Sequence, residues 1–282
     1  MKKLLVYYIK KHFYSFFLSD KLSSTIQVAQ VALMQSYYKD KLNNNLPEFN
    51  TTGFKVFSQF EEDGKLLYIF SVIGMGNKTF VDLGSNDGIN SNCANLAIHF
   101  NWKGLFVDGD SKALAIGQKF YEKNPGKWHY KPTFLCSYIT TENINKLLKE
   151  NDYEGEIDLL SIDIDGNDYW IWRAIEAVQP KVVIIESQVA FGDNEKITPY
   201  NEQKSLEFND NDYLGASTKS LQKLGNQKGY RLIGTNEYGN NLFFIKNGIG
   251  EKEFPEINAS ETLSHPFAKE KINQFKKFTA NQ

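Results

Sequence analysis

Residues 79–110 constrain the fold of this chain more than any other stretch. They begin with TFVDL, a β-branched and apolar run that ends in an acid, and continue through the glycine turn GSNDG. A segment with apolar residues at near-helical spacing follows, and GLFVD closes the stretch as a second strand candidate. The order strand, turn, helix, strand is half of a nucleotide-binding βαβ unit. The sequence therefore predicts a parallel sheet that binds a ligand where its strands end.

The alternation of strands and helices continues to residue 186 and then changes. EIDLLSIDID and KVVIIES are predicted strands on either side of the helical segment DYWIWRAIEAV, and YRLIGT and NLFFIK flank the turn residues NEYGN as a hairpin. This layout resembles that of class I S-adenosylmethionine (SAM) methyltransferases. The predicted fold class is therefore α/β and Rossmann-like, with a mostly parallel seven-stranded sheet, helices on both faces, an antiparallel C-terminal hairpin and an N-terminal helical extension.

The length of 282 residues suits one large α/β domain with extensions. Residues 1–50 are predicted to be the helical extension, with a second helical segment over residues 24–41 and the connector NNNLPEFNTTG after it. The methyltransferase domain is expected to cover residues 51–250. Residues 251–282 are polar and are predicted to form a peripheral tail.

The composition narrows the classes of partner. With 32 basic and 34 acidic residues, nothing indicates nucleic acid or an anionic membrane surface as the main partner, and the expected ligand is a small molecule. Cys93 and Cys136 are too few for a disulfide framework. Both are predicted to be buried thiols in a reducing, cytoplasmic compartment.

The N-terminus, MKKLLVYYIKKHFYSFFL, is basic and apolar like a signal peptide or a membrane anchor. Lys10, Lys11 and His12 interrupt it, and the apolar run over residues 4–9 is far shorter than the roughly 20 residues of a spanning helix. We therefore expect no stable membrane insertion. The predicted element is an amphipathic helix that packs on the domain or on a second subunit, which would give a homodimer. Peripheral contact with the inner membrane face is the alternative.

The glycine turn carries the predicted cofactor site. Its pattern is G-x-x-x-G with acids on both sides, and not the G-x-G-x-x-G that seats a pyrophosphate at a helix N-terminus. The acids would repel a pyrophosphate, but they suit the sulfonium and amino groups of SAM. The predicted cofactor-binding residues of this turn are Asp82, Gly84, Ser85, Asn86, Asp87 and Gly88. A tight turn without a ligand is the alternative.

Asp108 ends the next predicted strand, where a carboxylate can accept hydrogen bonds from both hydroxyls of a ribose. Asp110 follows it in DGD, and SIDIDG repeats the spacing at Asp163 and Asp165. Both pairs match the D-x-D of metal-dependent glycosyltransferases, which is the rival hypothesis. Asp110 is otherwise expected to cap the next helix.

Asp163 and Asp165 are the predicted catalytic residues. Strand alternation would put both on one face at the carboxyl end of a strand. There they could hold a divalent metal, accept a substrate proton or bind a substrate hydroxyl. Glu186 ends the following strand and completes a predicted Mg²⁺ or Mn²⁺ site with them, unless it forms a salt bridge or anchors a loop. His265 is the third catalytic candidate, on condition that the tail folds back over the sheet.

Residues 188–214 lack sustained periodicity, and a loop this long is usually functional. We expect a lid or acceptor wall in which aromatic rings either stack on a pyranose face or pack the loop onto the sheet. The rings concerned are Phe191, Tyr200, Phe208 and Tyr213.

Several motifs in order resemble the FkbM-like branch of SAM-dependent methyltransferases over residues 58–246. They are SQFEEDG, FVDLGSNDGINSN, NWKGLFVDGD, ENIN, IDLLSIDIDGNDYWIW, YLGAS and KGYRLIG. The resemblance implies that Asp82, Gly84 and Gly88 surround the methionine part of SAM. It also implies that Asp108, where the family usually has Glu, binds the ribose and that Asp163 lies beside the methyl group. The resemblance further implies O-methylation of a small-molecule or glycan acceptor, commonly at a sugar hydroxyl, and a divalent ion in some relatives.

The sequence therefore predicts a SAM-dependent O-methyltransferase that acts on a hydroxyl of a sugar or of a sugar-containing precursor, either a nucleotide sugar or a surface polysaccharide. A metal-dependent glycosyltransferase is the first alternative. A non-catalytic scaffold with a methyltransferase fold is the second, and the intact acids and glycines argue against it.

Overall fold

A computed structural model describes residue 18 and residues 20–123, 131–201 and 213–280. Seven strands form one sheet in the order β3-β2-β1-β4-β5-β7-β6. Strands β1 to β5 run parallel to one another, and β7 runs antiparallel to both of its neighbours, β5 and β6. The strands are β1 (Thr79–Leu83), β2 (Lys103–Asp108), β3 (Thr133–Cys136), β4 (Gly155–Ile162), β5 (Val178–Glu186), β6 (Tyr230–Thr235) and β7 (Asn241–Lys246). The predicted fold class, including the antiparallel hairpin, is confirmed.

Helices cover both faces of this sheet. They are α1 (Ser24–Leu42), α2 (Glu62–Ile73), α3 (Ala94–Phe100), α4 (Ser111–Glu122), α5 (Ile144–Glu150), α6 (Asp168–Ala174), α7 (Thr218–Gln227) and α8 (Pro266–Ala280). Along β1, Phe80 packs into a core with α2, α3 and α4, whereas Val81 packs into a second core with α5, α6 and α7. The central strands are apolar on both sides for this reason, which is typical of parallel sheets.

Helix α2 is buried on all sides. Every residue from Glu62 to Val72 is buried, because α1 packs on the side of α2 that faces away from the sheet. Lys65 is only 1% exposed. Its Nζ atom donates to the carbonyl oxygen of Phe49 at 3.3 Å and lies 4.6 Å from the centroid of the Phe49 ring. Lys65 is therefore buried, although lysine side chains are mostly exposed to solvent in folded proteins.

The N-terminal extension is partly described. Its second predicted helical segment is present as α1, whereas the first lies outside the described residues. None of the helices in the described ranges is long and apolar enough to span a lipid bilayer.

The C-terminal tail lies along the surface of the domain, where most of its described residues are exposed or half-buried, but a few of its side chains anchor it. Phe254 and Ala268 are buried, and helix α8 packs against the short 3-10 turn Val189–Phe191 that follows β5. The buried guanidinium of Arg231 donates to the carbonyl oxygens of Phe254, Lys246 and Ile249. The start of the tail is therefore tied to the antiparallel hairpin.

The two cysteines differ in exposure. Cys93 is buried as predicted, but Cys136 is exposed. Cys136 is the last residue of β3, which is an edge strand with only β2 beside it. A residue at this corner of the sheet has no second neighbouring strand to cover it.

Candidate active site

The glycine turn after β1 is packed between the ends of β2 and β4. Gly84 has φ of 83° and Gly88 has φ of 64°, values that favour glycine. A Cβ atom on Gly84 would lie 1.7 Å from the carbonyl oxygen of Asp163, so no larger residue fits. The amide groups of Gly84 and Ser85 both donate to the carbonyl oxygen of Val107, at 2.9 and 3.1 Å. This close packing of backbones forms a cradle in which a ligand can approach the main chain.

Two residues of the turn have features that fit a ligand. The Ser85 hydroxyl is buried without a hydrogen-bond partner, which is costly unless a bound molecule supplies one. Asn86 has a left-handed backbone, with φ of 51°, and donates its amide hydrogen to Oδ2 of Asp108 at 2.7 Å. The turn and the ribose-binding candidate are thus joined directly.

Asp87 stabilises the turn through its own backbone contacts. Its Oδ1 atom accepts hydrogen bonds from the amides of Ile89 and Asn90, at 2.9 and 3.0 Å. These bonds organise the start of the segment that leads into α3, which begins at Ala94. The carboxylate of Asp87 is therefore engaged by the protein and contributes mainly a negative charge to the cofactor region.

Asp82 lies behind the turn, buried within the sheet. It is 3% exposed, and its Oδ2 atom accepts a hydrogen bond of 2.5 Å from the Ser91 hydroxyl. Burial raises the pKa of Asp82 to about 6, opposed by hydrogen bonds from Ser91 and Ser161 and reinforced by the charge of Asp108. A cation near the turn would favour the charged form of this carboxyl group.

The two acids of DGD have different structural roles. Asp108 accepts amide hydrogen bonds of 2.7 Å on both oxygens, from Asn86 and from Asp110, and remains partly exposed at the end of β2. Asp110 is the N-cap of α4, and its Oδ1 atom accepts from the amides of Lys112 and Ala113 at 2.8 and 3.2 Å. Asp108 and Asp110 therefore do not form the metal-binding D-x-D pair of the rival hypothesis, because the carboxylate of Asp110 caps a helix.

Asp163, Asp165 and Glu186 come together although their positions differ from the prediction. Strand β4 ends at Ile162, so strand alternation does not place Asp163 and Asp165. Asp165 instead has φ of 57° within a turn. The turn brings Asp163 and Asp165 to the end of β5, so that one carboxylate oxygen from each of the three acids lies within 4.8 Å of the other two. Glu186 is the last residue of β5, as predicted.

The surroundings of the carboxylate cluster, defined as Asp163, Asp165 and Glu186, disfavour a negative charge on all three of its members. Burial, followed by the charges of Asp168 and Asp165, raises the pKa of Asp163 to about 8. Burial and then the charge of Asp163 raise the pKa of Glu186 well above its usual value. A divalent cation would relieve this repulsion, and carboxylate oxygens are the ligands that Mg²⁺ and Mn²⁺ prefer. The residues present therefore fit such an ion.

Asp168 fixes the turn that carries the cluster. It is buried at the start of α6, and its two oxygens accept hydrogen bonds of 2.9 Å from the amides of Ile164 and Gly166. Burial raises the pKa of Asp168 to about 6. Its role is to position the turn and to add negative charge.

Comparison with known proteins identifies the family. A family model described as the methyltransferase FkbM domain matches residues 82–232, which is more than half of the chain. This chain belongs to the FkbM methyltransferase family. It is therefore a SAM-dependent methyltransferase, and the glycine turn, Asp108 and the carboxylate cluster all lie within the matched FkbM domain.

Solved structures of similar fold are distant in sequence. An O-methyltransferase from Bacillus cereus in complex with SAH shares 13% identity, with 76% of this chain and 89% of that chain covered and a TM-score of 0.44. Magnesium protoporphyrin IX methyltransferase from Synechocystis with bound SAM shares 13% identity over 66% of this chain and 83% of that chain, with a TM-score of 0.38. The bifunctional kinase-methyltransferase WbdD shares 16% identity over 60% of this chain and 34% of that chain, with a TM-score of 0.37. None of the curated proteins matches this chain.

His265 lies beside the turn that joins β6 and β7. Within the described residues, it has no contact with the carboxylate cluster. Its Nε2 atom is 3.7 Å from Oε1 of Glu237, and its ring centroid is 5.1 Å from that of Tyr238. Its Nδ1 atom accepts a hydrogen bond of 3.1 Å from the amide of Phe267. The tail does fold back to the β6–β7 turn, as the prediction required. A direct catalytic role of His265 stays a prediction.

The loop after β5 packs largely through its aromatic rings. Phe191 and Tyr213 contact Phe275 of α8, with ring centroids 5.2 and 4.8 Å apart. The Tyr200 hydroxyl accepts a hydrogen bond of 3.2 Å from the amide of Thr141. Phe208 lies outside the described residues. Phe191 and Tyr213 therefore pack the loop onto helix α8, whereas stacking on a sugar ring stays a prediction.

Tyr138 is a site candidate that the sequence reasoning missed. Its side chain is 54% exposed and lies against Gly109, where an added Cβ would be 2.7 Å from Cε1 of Tyr138. Gly109 follows Asp108, so the ring of Tyr138 lies next to this candidate cofactor-binding residue. The signal in the sequence was an aromatic residue two positions after the strand TFLC.

Proposed function

We propose that the protein transfers the methyl group of SAM to a hydroxyl of a sugar or of a sugar-containing precursor, either a nucleotide sugar or a surface polysaccharide. The observation that carries this proposal is the carboxylate cluster beside the glycine turn. Carboxylates of this kind can bind several hydroxyl groups of a sugar at once and can accept the proton that O-methylation releases. The contact between Gly84 and the carbonyl oxygen of Asp163 joins this cluster to the cofactor cradle.

The cofactor half of the site would hold SAM along the carboxyl ends of β1, β2 and β3. SAM supplies a methyl group on a sulfonium that is a good leaving group. Gly84 and Gly88 allow its methionine part to approach the backbone, and Asp82 supplies negative charge beneath them. Asp108 would accept hydrogen bonds from the ribose hydroxyls, and the exposed ring of Tyr138 would offer a stacking surface for the adenine.

The acceptor half of the site would orient one hydroxyl group and remove its proton. Asp163 is the proposed base, because it is the member of the carboxylate cluster whose backbone contacts the cofactor cradle, and burial raises its pKa above that of an ordinary carboxyl group, which makes it a stronger proton acceptor. Asp165 and Glu186 hold neighbouring hydroxyl groups of the acceptor. The same three carboxylates would hold Mg²⁺ or Mn²⁺, whose charge would lower the pKa of the bound hydroxyl. His265, whose Nε2 atom lies 3.7 Å from Oε1 of Glu237, is the alternative base.

The alternatives receive less support. Glycosyl transfer through DGD is weakened because Asp110 caps α4, and the FkbM family assignment favours methyl transfer over glycosyl transfer. A scaffold has no need for a buried hydroxyl without a partner at Ser85 or for three facing carboxylates. For location we propose the cytoplasm, since the described cysteines are free thiols and Cys136 is exposed.

The test is methyl transfer from labelled SAM to a panel of nucleotide sugars and glycan fragments, with and without EDTA. We expect label on a sugar oxygen, with activity lost in EDTA and restored by Mg²⁺ or Mn²⁺. Asp163→Asn should reduce kcat by about 100-fold or more. Glu156→Gln is the matched control, because Glu156 is an exposed acid at the opposite end of the same strand.

Three results would separate the readings. Binding of S-adenosylhomocysteine without transfer to any sugar would reject the proposed acceptor class. Binding of UDP or GDP with Mn²⁺, in the absence of S-adenosylhomocysteine binding, would support the glycosyltransferase. Full activity in EDTA would reject the proposed metal ion but would be consistent with Asp163 as the base.

A further inference from the structure

Glu62 is a buried acid that belongs neither to the cofactor cradle nor to the carboxylate cluster. It is the first residue of α2, lies in the segment SQFEEDG and is 0% exposed. Its Oε1 atom accepts hydrogen bonds from the side-chain amides of Asn236 and Asn241, at 3.0 and 2.7 Å. Its Oε2 atom accepts one from the backbone amide of Phe60 at 2.9 Å. All three partners are donors, so this position requires an acid and not its neutral amide.

The two Asn partners belong to the hairpin of β6 and β7. The Oδ1 atom of Asn236 accepts hydrogen bonds from the three successive amides of residues 239–241, at 3.1 to 3.2 Å. Ser187, which follows the last residue of β5, donates its amide hydrogen to the carbonyl oxygen of Asn240 at 2.7 Å. The turn that Glu62 holds is therefore bonded directly to the end of β5.

Asn241 is also the direct neighbour of Glu186 in the sheet. The two residues lie opposite each other in the antiparallel pair of β5 and β7. Opposite residues of such a pair have their side chains on the same face, with Cβ atoms roughly 4.5–5.5 Å apart. The amide that Glu62 engages therefore lies beside a member of the carboxylate cluster.

The contact with Glu62 gives the Asn241 amide a fixed orientation. Without this contact the amide would be free to rotate and to donate to the neighbouring Glu186 carboxylate, which would then be engaged by the protein. The charge of Glu62 also acts on the cluster. Burial, followed by the charges of four acids of which Glu62 is one, raises the pKa of Asp163 to about 8.

We propose that Glu62 is a positioning residue for Glu186, because it holds the Asn241 side chain and the β6–β7 turn so that the Glu186 carboxylate stays available to the acceptor. This inference rests on the proposed function, in which Glu186 holds a hydroxyl group of the acceptor. The cofactor cradle follows β1, whereas the hydrogen bonds of Glu62 lead to β5, β6 and β7. Loss of Glu62 should therefore impair the acceptor half of the site and spare the cofactor half.

The first test separates the two halves of the site. Glu62→Gln presents an amide group to partners that are themselves donors. It should lower kcat/KM for the sugar acceptor by at least about tenfold and leave the affinity for S-adenosylhomocysteine within about twofold of that of the natural protein. Equal losses for both ligands would overturn the proposal, as would unchanged activity.

Asp158→Asn is the matched control for the loss of a buried acid. Asp158 is 1% exposed and accepts hydrogen bonds from Thr79 and from Lys181, at the opposite end of the parallel strands. The substitution should lower thermal stability without changing kcat/KM or the affinity for S-adenosylhomocysteine. If it reproduces the losses of Glu62→Gln, those losses come from general destabilisation and the proposal is wrong.

A double-mutant cycle tests whether Glu62 acts through Asn241. Asn241→Ala removes the amide that Glu62 directs. The variant that combines Glu62→Gln with Asn241→Ala should therefore be no less active than Glu62→Gln alone, within about threefold. Two losses that multiply would show independent roles and would overturn the proposal.

Hydrogen exchange tests the positioning without an acceptor. In Glu62→Gln the amide of Ser187 should exchange at least about tenfold faster than in the natural protein, while the amide of Gly84 keeps its protection. Unchanged exchange at Ser187, or equal acceleration at Gly84, would contradict the proposal. Asn241→Ala, which removes a single hydrogen bond to Glu62, provides the same measurement if Glu62→Gln does not fold. A natural protein that methylates no sugar would reject the proposed function, and the exchange result would still decide the role of Glu62.

Discussion

Gly84 and Asp163 touch through their backbones: a Cβ atom on Gly84 would stand 1.7 Å from the carbonyl oxygen of Asp163. The first residue is the start of the cofactor cradle after β1, and the second begins the turn that carries the carboxylate cluster after β4. The two halves of the site therefore share one contact between adjacent parallel strands. A substitution that shifts the backbone of the cofactor cradle should therefore also shift the carboxylate cluster.

Gly84→Ala should weaken the binding of S-adenosylhomocysteine and lower thermal stability. The substitution combines a positive φ, which costs roughly 1–2 kcal/mol for a residue with a Cβ, with a backbone clash that only a shift of the turn can relieve. Gly155→Ala is the matched control, since Gly155 has φ of 74° but nothing within 4 Å of the added Cβ. Calorimetry and thermal unfolding of both variants separate strain from clash. Equal effects of the two substitutions would contradict a close approach at Gly84.

Asp108→Asn should weaken the binding of S-adenosylhomocysteine by roughly 10- to 100-fold, because hydrogen bonds to a charged group contribute about 1.5–3 kcal/mol. Asp108→Glu should retain most of the affinity, since Glu keeps the charge and the family usually has Glu here. Calorimetric titration of both variants is the measurement. If Asp108→Asn binds as tightly as the natural protein, Asp108 serves only to accept the amide hydrogen bonds of Asn86 and Asp110.

Tyr138→Leu should weaken cofactor binding by roughly fivefold or more, because stacking of an aromatic ring on a base contributes about 1–3 kcal/mol. Tyr138→Phe keeps the ring and should bind like the natural protein. The comparison is informative since Tyr138 is exposed, so neither change removes core packing. Fluorescence or calorimetric titration with S-adenosylhomocysteine measures the difference. Similar losses in both variants would point to the hydroxyl group and not to stacking.

Asp63 should make the folded state less stable as the pH rises. Its Oδ2 atom accepts amide hydrogen bonds from Val56, Phe57 and Ser58, but its Oδ1 atom is buried without a partner. Burial raises the pKa of Asp63 from 3.8 to about 6, opposed by these hydrogen bonds. The folded state therefore binds the proton more tightly than the unfolded state, and this contribution to stability is lost as the pH rises from about 4 to about 6.

Asp63→Asn should remove that pH dependence, since the Asn oxygen can accept the same amide hydrogen bonds without a charge. Between pH 4 and pH 7 the natural protein should lose stability relative to the variant, by at most about 3 kcal/mol. Urea unfolding at each pH, with Glu156→Gln as an exposed control that follows the natural protein, measures the difference. Parallel curves for Asp63→Asn and the natural protein would show that Asp63 is not held at a raised pKa.

Features that depend on neighbouring residues in the chain were predictable from sequence. The β-branched run TFVDL, the glycine pair Gly84 and Gly88, and the N-cap at Asp110 follow from local backbone preferences. The grouping of Asp163 with Glu186 was also anticipated, because the carboxyl ends of neighbouring parallel strands meet at one edge. The reason given for Asp165 was wrong, since it reaches the cluster through a left-handed turn and not through strand alternation.

The sequence by itself determined the order of strands and helices, the family and the acids at the strand ends, because each follows from local patterns of side chains. Only the tertiary structure decided the burial of Lys65, the docking of the C-terminal helix, the contact of Tyr138 with Gly109 and the exposure of one side of α1. These depend on which surfaces meet across long separations in the chain, and so on packing that no single segment encodes. Burial of one side of α1 against α2 leaves the other side exposed, and that division cannot be read from the helix alone.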